Sequence, residues 1–181
     1  MLIQSIEALW RAAEALQRPV VASRAPGVPV EEVEAVLGRA VPGDVATWFG
    51  WSNGVAYAPG QVQDDAALVP GYEPLSVREA AAVRDGYGSD DPVLGDFYVP
   101  LLATGGGDFY AVVCERSPEH PPVAHVMIGG ETDIVYPSVG AMVEAFCRFY
   151  RNGVFFVSDE GTLEADDVRW VAQESGARPS G

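Results

Sequence analysis

Tyr98-Val99-Pro100-Leu101-Leu102-Ala103-Thr104-Gly105-Gly106-Gly107-Asp108-Phe109-Tyr110 reads as strand, glycine turn, strand. Aliphatic and aromatic residues fill both arms, and a glycine cluster separates them. A turn this short makes the arms antiparallel, because parallel pairing needs a crossover of a dozen or more residues. The same composition recurs downstream. Strands are expected over Phe97–Ala103, Phe109–Glu115 and Val123–Ile128, with Glu131–Tyr136 as a fourth. The stretch therefore predicts an α+β fold, with a mainly antiparallel sheet of about four to six strands and helices packed on it.

Outward from the sheet, helical spacing takes over. Leu2, Ile6, Leu9, Trp10, Ala13 and Leu16 predict a helix from Leu2 to Gln17. Arg18–Pro29, broken by Pro19, Pro26 and Gly27, reads as a linker. Val30–Leu37 is a second helix, stopped by Gly38. A third starts at Pro42, whose missing N–H has no helical partner in a first turn. Asp44 adds a negative charge at the positive end of the helix dipole. Val45, Trp48 and Phe49 share a face expected to be buried, and Asn53-Gly54 can end the helix in the left-handed conformation. Ala56–Pro74 is ambiguous, with Ala67-Leu68-Val69 a candidate edge strand. Ser76-Val77-Arg78-Glu79 matches a capping box and starts a helix to Arg84. Ser138 caps another, with Val139, Met142, Val143, Phe146, Phe149 and Tyr150 as its buried stripe and Asn152-Gly153 as its end. Val154–Val157 reads as a strand, Asp159-Glu160-Gly161 as a turn and Asp166–Glu174 as a short helix. Residues 1–174 then form one domain, and 175–181 a disordered tail.

The Pro42 helix followed by the Gly107-Asp108 hairpin resembles the SUKH superfamily. That group includes the fungal Smi/Knr cell-wall regulators, the bacterial Syd protein and many bacterial toxin-immunity proteins. The resemblance is strongest over residues 29–151. It is carried by the acidic helix Val30–Gly38, by Pro42, Asp44, Trp48, Asn53 and Gly54, by Leu75-Ser76, by Gly107-Asp108 and by the helix Ser138–Arg151. The proline-punctuated stretch Ala56–Pro74 and the residues after Asn152 depart from the pattern. The resemblance implies a non-enzymatic domain that binds a toxin domain and blocks its active site. A regulatory adaptor for an endogenous protein is the alternative. No catalytic residue, metal ligand or cofactor comes with the family, so none is expected on that ground.

Charge narrows the choice of partner. The chain has 181 residues and a formal net charge of −15, beyond the magnitude of about 2–8 usual for a small soluble domain. All its bases are arginines, so Schiff-base and P-loop lysines are excluded. Asp85, Asp90, Asp91, Asp96, Asp108 and Glu115 follow one another with no basic residue between Asp85 and Glu115. Asp159, Glu160, Glu164, Asp166 and Asp167 form a second acidic run. Such surfaces repel nucleic-acid phosphates and anionic lipid and steer basic proteins inward. A basic nuclease toxin would complement them. The candidate partner-binding residues are Asp85, Asp90, Asp91, Asp96 and Asp108, with Tyr57, Tyr72 and Tyr87 as aromatic anchors; Trp51 is a further candidate for an exposed aromatic. No apolar run approaches the roughly 18 residues of a membrane span. Cys114 and Cys147 read as buried thiols, and a cytoplasmic setting is expected.

One motif points to an enzyme. Gly50-Trp51-Ser52-Asn53-Gly54 fits G-x-S-x-G, the nucleophile elbow of α/β-hydrolases, with Asp108 and then His120 and His125 downstream. The elbow needs a strand before its serine and a helix after it. Here helical spacing precedes Ser52, so the serine is expected to serve a helix end. Gly105-Gly106-Gly107-Asp108 reads as a hairpin turn rather than a phosphate cradle, since no capped helix follows. Two histidines and two cysteines without close spacing do not suggest zinc, and Asp90-Asp91 and Asp159-Glu160 lack the pattern of a calcium loop.

Overall fold

The computed structural model describes residues 1–88, 90–116 and 119–177. The antiparallel sheet is present. Its five strands are β3 (Glu73–Pro74), β4 (Tyr98–Ala103), β5 (Phe109–Val113), β6 (Val123–Val126) and β7 (Thr132–Tyr136), side by side in chain order. Every neighbouring pair is antiparallel. Pro100 lies within β4 at a register shift against β5, past the stretch that the two-residue β3 pairs. Those are places where a strand tolerates a missing N–H. Every residue of β4 and β5 is buried, so both faces of the sheet centre are covered.

Alternation along the strands sends neighbours to opposite faces. Phe109 meets Tyr87 edge-on at 5.3 Å between ring centroids, and Tyr98 in a stacked arrangement at 6.2 Å. Tyr87 ends α5 (Val77–Tyr87), so this is the α5 face. Tyr110 instead meets Phe146 of α6 (Val139–Arg151), edge-on at 5.7 Å. The α6 stripe is buried as its spacing predicts, and Ser138 Oγ accepts from Ala141 N to cap it. Ser76 and Glu79 form the expected reciprocal capping box at the start of α5, which runs to Tyr87 rather than stopping at Arg84.

The amino-terminal helices pack together. They are α1 (Leu2–Ala15), α2 (Val30–Leu37) and α3 (Gly43–Trp51). Trp48 and Phe49 are both buried. Three expectations are corrected here. The segment 18–29 holds a 3-10 turn (Pro19–Val21) and the strand β1 (Arg24–Pro26). Asn53-Gly54 do not end α3 but lie in β2 (Ser52–Val55), paired with β1. Ala67–Val69 is no edge strand; the ambiguous segment instead contains the short helix α4 (Gln63–Ala66), and the sheet edge falls at β3.

Arg18 joins three parts of the chain. Its side chain is 3% exposed and pairs with Asp64 of α4 at 2.6 Å. Arg18 also donates to Gly161 O, and Asp64 accepts from Leu163 N. Both bonds reach the hairpin of β8 (Phe155–Val157) and β9 (Leu163–Ala165). From that hairpin runs α7 (Asp167–Ala177). Ser175–Ala177, expected to open a disordered tail, continue this helix; the rest of that stretch, 178–181, lies outside the described residues. No helix among the described residues is long and apolar enough to cross a membrane.

Candidate functional site

At the turn end of the α5 face lies an open groove of about 320 Å³. Ala82, Val83, Gly86 and Tyr87 of the helix form one wall. Ala103, Thr104, Gly107 and Phe109, around the β4–β5 turn, form the other, and Ile128 closes one side. Gly107 has φ +101°, which an L side chain rarely adopts. A Cβ there would meet Ile128 Cγ1 at 3.1 Å, so the bare glycine lets Ile128 lie across the turn. Ile128 itself stays 54% exposed. The sequence pattern places it at the end of a strand, but β6 stops at Val126 and leaves Met127 and Ile128 in the following turn. The adjoining Gly129-Gly130 was the available signal, since paired glycines mark a turn rather than a strand.

Of the residues singled out from sequence, Tyr87 and Gly107 line the groove, and Asp91 and Asp108 bond to Tyr87 and Ile128 at its edge; Asp85 is not among the lining residues. Asp85 is strongly exposed and pairs with Arg84 at 3.4 Å. Asp108 Oδ1 accepts from Ile128 N at 2.8 Å and so fixes the backbone of the residue that closes the groove. Asp91 is not a free acid. It accepts from Tyr87 OH, Thr132 Oγ1, Val93 N and Leu94 N at 2.9, 2.5, 2.8 and 3.4 Å. Partial burial by itself would raise its pKa, but the hydrogen bonds from Thr132, Val93 N, Tyr87 and Leu94 N outweigh this and hold it below the usual value. An aspartate accepting from the N–H two residues on closes a local side-chain turn. Asp91 therefore acts as a brace. It fixes the Tyr87 hydroxyl at the groove edge and ties α5 to β7.

The other candidates are distributed elsewhere. Asp90 and Asp96 are exposed in the segment after α5. Tyr57 is exposed, but its hydroxyl donates to Glu73 of β3 and it is not among the groove-lining residues. Tyr72 is corrected outright: it is buried and packs with Tyr110 and His125 on the opposite face of the sheet. Trp51 is half-buried beneath the Arg24 guanidinium, 4.8 Å from its ring centre. The acidic run is also less bare than its sequence neighbourhood suggests, because Arg39, distant in the chain, reaches Glu115 at 3.1 Å.

Positions that carry the family resemblance have structural duties. Pro42 is the cap residue of α3, and Asp44 sits half-buried in its first turn. Burial raises the Asp44 pKa, and the charge of His120 opposes that rise. Asn53 Oδ1 accepts from Val77 N at 2.8 Å, which joins β2 to the start of α5. Gly54 has φ +77°, and a Cβ there would lie 2.5 Å from Ser76 N; only glycine lets the two backbones approach so closely. Ser52 follows a helix and begins a strand, the reverse of an elbow's order. Its buried hydroxyl points to the carbonyls of Ala25 and Gly54, at 3.2 and 3.0 Å. Cys114 is buried and its thiol is pushed up to about 12 by burial, whereas Cys147 is only half-buried. Among the described residues no group of three or more His, Cys, Asp and Glu side chains is placed to hold a metal ion.

In comparison with known proteins, no family model matches the chain and no curated protein matches its sequence.

Proposed function

We propose that this chain is a non-enzymatic, protein-binding domain of the SUKH immunity type, acting in the cytoplasm by stoichiometric capture of a toxin domain with a basic surface. The observation that carries the reading is the groove on the α5 face. Its walls are mainly apolar, its edge carries the braced Tyr87, and Asp91 and Asp108 bond to the residues that line it. Interfaces draw most of their affinity from a few aromatic and aliphatic anchors, and charge around them sets encounter rate and register. A basic segment with one large apolar side chain fits both requirements. The acids around the groove would then stand where the toxin's substrate phosphates stand, which suits a nuclease.

The test is affinity purification from the native host with the full chain, followed by mass spectrometry, in parallel with I128E and Y87A. A secreted protein bearing a toxin domain, captured by the natural chain and lost with both variants, is the expected result. Capture of an endogenous host protein through the same groove would establish the adaptor instead. A toxin retained equally by all three chains would move the interface off the groove. Ester turnover that depends on Ser52 would replace binding by hydrolysis.

A further inference from the structure

Opposite the groove, the sheet carries side chains of another kind. Tyr110 of β5 and Tyr136 of β7 are 1% and 0% exposed, yet both are polar. Their hydroxyls converge on one atom, Glu174 Oε1 of α7, at 2.8 and 2.6 Å. Between their strands, His125 of β6 stacks on Tyr110 at 4.5 Å, and its Nε2 lies 2.6 Å from Tyr72 OH. Burial, and then the Glu174 charge, push both phenols well above their ordinary pKa, so they remain donors. Trp170, one helical turn before Glu174, sits edge-on to Tyr72 and Phe155 at 6.4 and 4.9 Å.

The helix over this surface is held differently from the surface itself. From Asp167 to Gly176 no residue of α7 is fully buried; Trp170, Gln173 and Glu174 are half-buried. Val168 and Val171 point to solvent, 81% and 63% exposed. Beyond Trp170 and Glu174, the helix is tied to the rest by Arg169 donating to Asn152 O at the surface and, just before its start, by Asp166 N donating to Val154 O; Asp166 Oδ1 accepts from Arg169 N within the helix's own first turn. Sparse apolar burial is the physical signature of a segment that opens before the domain unfolds.

We propose that the Tyr110–Tyr136 pair is a carboxylate-binding site on the sheet, and that α7 is a displaceable strap that fills it in cis with Glu174. The ligand class that takes its place is a helix bearing a carboxylate four residues after an aromatic ring, the Trp170–Glu174 spacing. This inference does not depend on the groove or its partner.

Hydrogen exchange on the full chain is the first test. The α7 amides are expected to exchange at least about tenfold faster than those of β5 and β6, as a sub-global opening requires. The second uses the full-length double variant W170A/E174A and a fluorescein-labelled peptide with the sequence of residues 165–177. The variant keeps the sheet's protection, and the peptide binds it saturably. Adding Y110F and Y136F weakens that binding at least about tenfold, because hydrogen bonds to a charged group are lost. Exchange of α7 at the same rate as the sheet would overturn the proposal. So would loss of the fold in W170A/E174A, or peptide binding that is absent or insensitive to the two tyrosines.

Discussion

Phe109 and Tyr110 are neighbours in one strand and belong to two different surfaces. Phe109 helps to floor an open, mainly apolar groove edged by the half-buried Asp91 and Asp108. Tyr110 faces a closed array of polar aromatics sealed by a carboxylate. Each region has its own organising acid. Asp91 accepts four hydrogen bonds, two from its own backbone turn, and fixes local geometry. Glu174 accepts from two tyrosine hydroxyls and holds a whole helix against the sheet. The contrast teaches that net charge says little about what an individual acid does. Of the chain's acids, Asp91 and Glu174 face inward to hydroxyl donors, while Asp90 and Asp96 are exposed.

The largest effect expected separates the two regions through the girder beneath one of them. Asp64→Ala leaves Arg18 buried without its partner, at a cost of about 3–5 kcal/mol. Denaturant unfolding measures the loss. Hydrogen exchange should locate the local loosening in the β8–β9 hairpin and α7, with the groove spared. Equal loosening of both regions would break the division between them.

Asp91→Ala should act on the other face. It removes hydrogen bonds to a charged acceptor, at about 1.5–3 kcal/mol, and frees Tyr87. The contribution depends on pH. A carboxylate whose folded pKa is depressed stabilises the protein above its unfolded pKa, and the stability is lost as pH falls through the folded one. The gap between the natural chain and Asp91→Asn should therefore hold from pH 8 to about 5 and shrink below about 4, near the ordinary carboxylate pKa. A gap constant down to about pH 2 would show that the side chain acts by shape and not by charge.

Ile128→Glu tests whether the groove is a binding surface or part of the core. At an exposed turn position it should change stability by no more than about 0.5 kcal/mol. If Ile128 is an anchor, it should cost about 2 kcal/mol or more of partner affinity. The smallest effect belongs to the exposed acids. Asp85→Asn, Asp90→Asn and Asp96→Asn together should leave stability nearly unchanged and slow association with a basic partner at low salt. At ~0.5 M salt, where screening leaves a reach of only a few ångströms, the difference should vanish. A rate unaffected at both salts would make these acids a solvated surface and nothing more.

Much of the scaffold was legible in the chain. The glycine turn at 105–107, the capping box at Ser76–Glu79 and the α6 stripe are local signals, and each formed as read. The site was legible only in part. Tyr87, Asp91, Gly107 and Asp108 stand out in the sequence, but Ile128 and Val83 do not: Gly129-Gly130 marks a turn beside Ile128 without telling what the turn covers, and nothing beside Val83 distinguishes groove wall from core. Asn53-Gly54 misled for the same reason. A left-handed glycine suits a helix end and a strand that must pass close to another backbone equally well, and the approach of Ser76 decided between them.

The sequence by itself determined the antiparallel pairing of the long strands, because short turns leave the chain no other way to pair them. It also determined the starts of α5 and α6, since each capping serine and its partner lie three residues apart. Tertiary structure alone decided which acids remain exposed and which become braces. That choice depends on donors far away in the chain: Thr132 for Asp91, Tyr110 and Tyr136 for Glu174, Arg18 for Asp64. A carboxylate's role is set by the hydroxyls, N–H groups and guanidinium that surround it, and folding brings those donors together.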